Sequence, residues 1–187
     1  VNKFFVDNGY FILKNAISKE ICNFGIQYYD YLINSEKMKK EIEYLDEKSA
    51  DFFKDSGYAY ASHKSSYSET LLENDIFDIV ENITNLKLYP TYSYARIYLT
   101  GNKFPKHIDR DACRISTSLH LGSVNCNTPW PLYLNNYDGK TIEVLQYPGD
   151  IIIYNGFELQ HWRDEFTMGD RWYQVMNHYH IESGHRE

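Results

Sequence analysis

Pro148-Gly149-Asp150-Ile151-Ile152-Ile153-Tyr154 reads as a tight turn feeding a strand. Pro and Gly interrupt regular structure, and a β-branched run closed by Tyr packs best inside a sheet. Working outward, the same texture recurs on both sides. Residues 92–99 alternate and are rich in Tyr and Ile, and Thr100, Gly101 and Asn102 make a turn after them. Residues 104–109, 114–121, 130–134, 141–147, 160–163 and 171–181 also read as short strands. About eight closely spaced strands imply a sandwich or a barrel-like double sheet.

Residues 1–85 read differently. Residues 8–13 suggest one short strand, and the rest is mainly helical. Ser18 is a natural N-cap, followed by apolar Ile21, Phe24, Ile26, Tyr28 and Leu32 at roughly helical spacing. A charged helix is expected over 36–45. Another is expected over 70–83, with Leu71, Leu72, Ile76, Ile79 and Val80 as its apolar side. The expected organisation is one domain over 1–187, with a helical support region (1–85) and a β core (86–181).

The chain has 187 residues and a formal net charge of −7, and its longest basic group is Lys37, Lys39 and Lys40. Nucleic acid is therefore a disfavoured partner. Cys22, Cys113 and Cys126 are odd in number and far apart, which speaks against a disulfide framework or a structural zinc site. A reducing, cytoplasmic setting is expected, with no membrane span and no signal-peptide pattern. The 18 tyrosines suit half-buried strands and polar-lined pockets. Nothing in the composition bears on oligomeric state.

His107-Ile108-Asp109 carries the chemistry. On a strand, residues i and i+2 point to one side, so an imidazole and a carboxylate can reach one ion. A third ligand must come from elsewhere. Two His and one carboxylate on one face of a metal leave open positions, the arrangement of non-haem Fe(II) oxygenases.

The order of motifs resembles the Fe(II)/2-oxoglutarate-dependent dioxygenase superfamily. His-x-Asp is followed by the Pro-Gly-Asp turn and apolar strand. Gln160-His161-Trp162-Arg163 then supplies a distal His, and Gly169-Asp170-Arg171 a basic residue ten positions later. The likeness spans residues 92–179, and Asn8-Gly9-Tyr10-Phe11-Ile12-Leu13-Lys14-Asn15-Ala16-Ile17 is similar to the opening of many members. It implies a double-stranded β-helix (jelly-roll) core of about eight strands backed by helices. It implies that His107, Asp109 and His161 hold Fe(II), that Arg171 grips the distal carboxylate of 2-oxoglutarate, and that O2 is consumed. A hydroxyl often assists the Arg; Tyr98 and Ser118 are named for that task beside Tyr94 and Ser116. The implied reaction is hydroxylation of an unactivated C–H with release of succinate and CO2.

The arrangement resembles the prolyl hydroxylase branch, so peptidyl proline is one expected substrate. Arg171 departs from the Lys usual in its collagen-type members. The nucleic-acid demethylase branch of the AlkB type ends in Arg-x-Asn-x-Thr-x-Arg, which residues 171–177 lack. The alternatives are a small-molecule or free amino-acid hydroxylase and a non-catalytic, cupin-like metal-binding jelly roll. His178 and His180 form a rival i, i+2 pair without an evident third ligand. His120 lines the pocket or packs, Arg163 points to the pocket mouth or pairs with Asp164 or Glu165, and His63 and His185 lie on the surface.

Overall fold

The computed structural model describes residues 2–182; His185 lies outside them. Eleven strands occur in chain order: β1 Tyr10–Leu13, β2 Lys39–Lys40, β3 Tyr60–His63, β4 Leu88–Leu99, β5 Phe104–His107, β6 Ile115–Val124, β7 Leu132–Asn135, β8 Thr141–Val144, β9 Ile151–Tyr154, β10 His161–Arg163 and β11 Arg171–Ile181. The helices are α1 Lys3–Asn8, α2 Lys19–Asn34, α3 Glu47–Phe53, α4 Ser66–Thr70 and α5 Phe77–Thr84.

The strands form two antiparallel sheets. The larger runs β1-β9-β6-β11-β4-β3-β2 and the smaller β5-β10-β7-β8. Alternation gives each strand of the large sheet two distinct faces. One face carries Ala95, Ile97, Ile115, Leu119, Ile151, Ile153, Tyr173 and Val175, which pack with Cys22 and Tyr29 of α2 and Val80 of α5. The other face looks toward the small sheet, where Tyr10, Ile152 and Tyr154 meet Leu132, Leu134 and Val144. Tyr98, Trp130, Phe166 and Trp172 fill a further aromatic cluster. The turn before β9 earns its composition: Gly149 has φ +91°, and a Cβ there would lie 2.3 Å from the Ile17 carbonyl oxygen. The buried Asp150 carboxylate accepts from Asn15 N–H at 3.0 Å and Tyr147 N–H at 2.9 Å, and pairs with Lys14 at 2.8 Å.

Residues 1–85 depart from the helical reading. They hold β1, β2 and β3, all of which join the large sheet. Residues 36–45 form no α-helix but the short β2 and a 3-10 turn over Glu41–Glu43. The cause is Glu41, which is fully buried against Arg96 of β4 at 2.7 Å, a contact that a solvated charged helix could not make. The helix lies further on, in α3, capped by Asp46. Ser18 caps α2 as expected, accepting from Ile21 N–H. The buried face of α2 is Cys22, Gly25 and Tyr29, whereas Ile21 and Phe24 face solvent. The segment over 70–83 is helical with Leu71, Leu72, Ile76 and Val80 buried, but a π turn at Leu71–Asp75 separates α4 from α5.

Candidate active site

The two expected histidines meet because their strands pair. β5 and β10 run antiparallel with His107 directly opposite His161, and the ring centroids are 4.3 Å apart. Asp109 follows just past the end of β5, held by its N–H donating to the Gly156 carbonyl at 2.7 Å. Gly156 also makes room for the carboxylate: a Cβ there would sit 2.2 Å from Asp109 Oδ2 and 2.7 Å from Ser116 Oγ. Asp109 Oδ1 lies 3.4 Å from His107 Nε2 and 3.6 Å from His161 Nε2.

The tautomers follow from the other ring nitrogens. His107 Nδ1 lies 2.7 Å from the Pro105 carbonyl oxygen, and His161 Nδ1 lies 2.9 Å from that of Leu159. A carbonyl only accepts, so each Nδ1 carries the proton and each Nε2 turns a lone pair inward. The ligating atoms of His107, Asp109 and His161 lie within 4.8 Å of one another. Two lone pairs and an anionic oxygen at that spacing repel unless a cation lies between them. His161 Nε2 is buried and has no hydrogen-bond partner. This donor set therefore fits a divalent metal ion, and among the described residues it is the one such group.

The electrostatics agree. Burial lowers the His161 pKa to about 4, which leaves it neutral at pH 7. Burial pushes the Asp109 carboxyl up, but its close neighbours His107, His161 and His178 outweigh burial and hold it well below the usual carboxylate range. Ser116 Oγ donates to Asp109 Oδ2 at 2.7 Å and accepts from His178 Nδ1 at 2.9 Å. That chain fixes the second carboxylate oxygen, and outer-shell bonds of this kind orient a ligand. Burial keeps His178 neutral, with a pKa of about 4.

The cluster opens into a cavity of about 690 Å³ whose lining includes Phe52, Phe53, Tyr92, Tyr94, Phe104 and Arg110. Tyr154 and Met176 close it on the inner side. Cys113 also faces it, with burial raising its thiol pKa to about 11, so it is no nucleophile at neutral pH.

The structure brings His107, Asp109 and His161 together and places Arg171 elsewhere. Along β11, Trp172, Met176 and His178 look between the sheets, whereas Tyr173, Val175 and Tyr179 pack against the helices. Arg171 belongs to the second set. It pairs at 2.9 Å with Asp30 of α2, and Tyr173 hydroxyl donates to the same carboxylate at 2.6 Å. An offset of one residue puts a strand side chain on the opposite face. Arg171 is therefore not in the site.

Tyr98 and Ser118 do lie between the sheets. Tyr98 is buried, and its hydroxyl accepts from Arg96 Nη1 at 3.4 Å; Ser118 Oγ accepts from Gln174 Nε2 at 2.8 Å. Arg163 is neither at the mouth nor paired with Asp164 or Glu165. It is buried, donating to the Trp130 carbonyl at 2.5 Å, to Gln146 Oε1 at 3.0 Å and to Gln174 Oε1 at 3.3 Å. Burial lowers its pKa to about 10, so it stays cationic at neutral pH.

The remaining histidines separate. His120 packs face to face on Trp172 at 3.6 Å, and burial takes its pKa to about 3. His180 points away to Asp111 at 3.1 Å. His63 is exposed at the cavity rim, stacked on Tyr94. Sequence reasoning missed Gly156, the Ser116–His178 chain and the Glu41–Arg96 pair. Only the first had a signal, in the Asn155-Gly156 that follows β9.

No family model matches the chain, and no curated protein matches it. Solved structures do. A Pseudomonas putida prolyl-4-hydroxylase superposes with a TM-score of 0.73 at 12% identity, covering 98% of both chains. A prolyl hydroxylase in complex with a hypoxia-inducible-factor peptide from Trichoplax adhaerens gives 0.75 at 14% identity, covering 97% of this chain and 87% of the other. HygX from Streptomyces hygroscopicus, with nickel and 2-oxoglutarate bound, gives 0.68 at 8% identity, over 96% and 85%. The chain thus has the fold of the non-haem, 2-oxoglutarate-dependent oxygenases. At these identities the likeness is one of fold.

Proposed function

We propose that this protein is an Fe(II)- and 2-oxoglutarate-dependent oxygenase, with His107, Asp109 and His161 as the metal ligands. The observation that carries the reading is the convergence of two inward Nε2 lone pairs on one carboxylate oxygen, with His161 Nε2 buried and unpartnered. The division of β4–β11 between the two sheets, four strands in each, supports an eight-strand jelly roll with β1–β3 added at the edges of the larger sheet.

Iron at this site would couple O2 and the oxidative decarboxylation of 2-oxoglutarate, giving succinate and CO2, to hydroxylation of a substrate C–H. The chain's own residues set the stage. His107 and His161 are held in one tautomer by the Pro105 and Leu159 carbonyls. Asp109 is held ionised and oriented by Ser116 and His178. Facing donors leave the cavity side free for ligands. The rings of Phe52, Phe53, Tyr92 and Phe104 give it an apolar wall.

For substrate, an accessible prolyl ring of a peptide is the first reading, supported by the prolyl hydroxylases among the structural relatives and by the aromatic, open cavity. A small molecule is the second, favoured by HygX, which has been solved with hygromycin B bound. The test is succinate formation in the presence of Fe(II), 2-oxoglutarate and candidate substrates. The reading expects metal- and 2-oxoglutarate-dependent succinate that Asp109→Ala abolishes. Succinate unchanged in Asp109→Ala would overturn the metal assignment. Metal binding without any succinate would favour the non-catalytic jelly roll.

A further inference from the structure

We infer that the distal carboxylate of the co-substrate is held by Arg163, from β10 inside the double sheet, rather than by an arginine of β11; this rests on the oxygenase reading above. Three arginines compete for the task, and their charge partners separate them. Arg171 is a third exposed on the helix side, paired with Asp30. Arg96 lies between the sheets but is already neutralised by the fully buried Glu41 at 2.7 Å. Arg163 is buried, and every acceptor it touches is a neutral oxygen, from Trp130, Gln146 and Gln174. Among the described residues, no carboxylate lies within ion-pairing distance of its guanidinium.

A guanidinium sealed in a protein interior without a counter-ion is unfavourable, and such charges are ordinarily paired. The missing partner is an anion. Position says which one. Arg163 is two residues from His161 on the same strand, and the side chains of both are buried. Residues i and i+2 are separated by about 6–7 Å along a strand. A five-carbon diacid that chelates a metal through one end reaches about that far with the other. The planar guanidinium fork suits a carboxylate.

The neighbours fit as well. Ser118 Oγ and the side-chain amides of Gln146 and Gln174 form one buried network with Arg163. Gln146 Nε2 donates to the Ser118 and Asp150 carbonyls, and Gln174 Oε1 accepts from Trp172 Nε1, so both amides are fixed and hold the guanidinium in place. Tyr98 stands nearby as a hydroxyl donor, its ring 4.9 Å from that of Trp130, on which the Arg163 guanidinium also rests.

The test uses the full chain loaded with Ni(II), so that binding is read without turnover. Trp162 is first replaced (Trp162→Phe), leaving Trp130 and Trp172, whose rings lie 4.8 and 5.5 Å from Arg163 Cζ, as emission reporters. 2-Oxoglutarate and 2-oxobutyrate, which lacks the distal carboxylate, are titrated in parallel. The expected result is a preference for the diacid of about 100-fold, erased by Arg163→Gln, partly kept by Arg163→Lys and untouched by Arg171→Gln. Unaltered diacid preference in Arg163→Gln, or its loss in Arg171→Gln, overturns the assignment while leaving the oxygenase reading standing. Binding of neither acid by the Ni(II)-loaded parent overturns both. Should Arg163→Gln not fold, the parent decides: no diacid-specific change in Trp130 and Trp172 emission contradicts the inference.

Discussion

The space between the two sheets has two ends that differ in kind. At the mouth, two neutral imidazoles and a carboxylate face an open aromatic cavity, and the surplus there is electron pairs. Further in, the Arg163 guanidinium sits sealed among neutral oxygens, and the surplus is positive charge. One end lacks a cation and the other an anion. A metal chelated by a diacid satisfies both together, which is why the two ends are best understood as one site. A third charged spot, Glu41 with Arg96, is already balanced and serves as the internal control.

The sharpest break comes at the mouth. Asp109→Ala removes the only anionic donor and should weaken divalent metal binding by more than about 100-fold, since losses of even outer-shell partners cost 10–100-fold. Calorimetric titration with Ni(II) measures it; near-parental affinity would place the metal elsewhere. Glu41→Ala should follow in size. It leaves Arg96 buried without its partner, a change that costs about 3–5 kcal/mol, to be read by urea unfolding. A loss below about 1 kcal/mol would show that unpaired buried positive charge is tolerated between these sheets, so that Arg163 would need no anion.

Gly156→Ala comes next. The new methyl must displace Asp109 or Ser116. Stability should fall by about 1–3 kcal/mol, and metal affinity should fall with it. An unchanged affinity would mean that Asp109 is free to move.

His120 supplies a pH prediction. Burial lowers its pKa from the ordinary 6.5 to about 3 in the folded protein. Between those values the unfolded chain binds the extra proton. Stability is therefore fully present above pH 6.5 and is lost as pH falls toward 3, by about 1.4 kcal/mol per pH unit for this one group. His120→Phe keeps a ring against Trp172 and should flatten the slope of stability against pH by that amount in the metal-free protein; an unaltered slope would place the acid sensitivity in other groups. The smallest effect belongs to the outer face. Arg171→Gln should cost about 0–1 kcal/mol, because its pair with Asp30 is partly solvated, and should leave ligand binding alone.

Legibility along the chain followed distance. The His-x-Asp spacing acts within one strand end, where period-two geometry is reliable, and the structure puts both side chains at one point. The β-strands after residue 86 were readable for the same reason: alternation and Gly or Pro turns are local signals. Arg171 lies ten residues and a loop beyond His161, and a shift of one residue over such a span exchanges the faces of a strand. Nothing local in residues 36–45 shows that Glu41 will be drawn inside, because its partner, Arg96, is 55 positions away. Likewise the exposed Phe24 and the buried Cys22 of α2 reflect which face the sheet offers, a tertiary choice that helical periodicity alone leaves open.

On this reading one metal ion and one 2-oxoglutarate bind together between the sheets, the metal at the mouth and the distal carboxylate further in at Arg163. Mixing the metal-free protein with Fe(II) and 2-oxoglutarate under strict exclusion of O2, and recording the visible spectrum, tests it most directly. A weak charge-transfer band that needs both additions and is absent in Asp109→Ala is expected. Iron bound with no such band would contradict it.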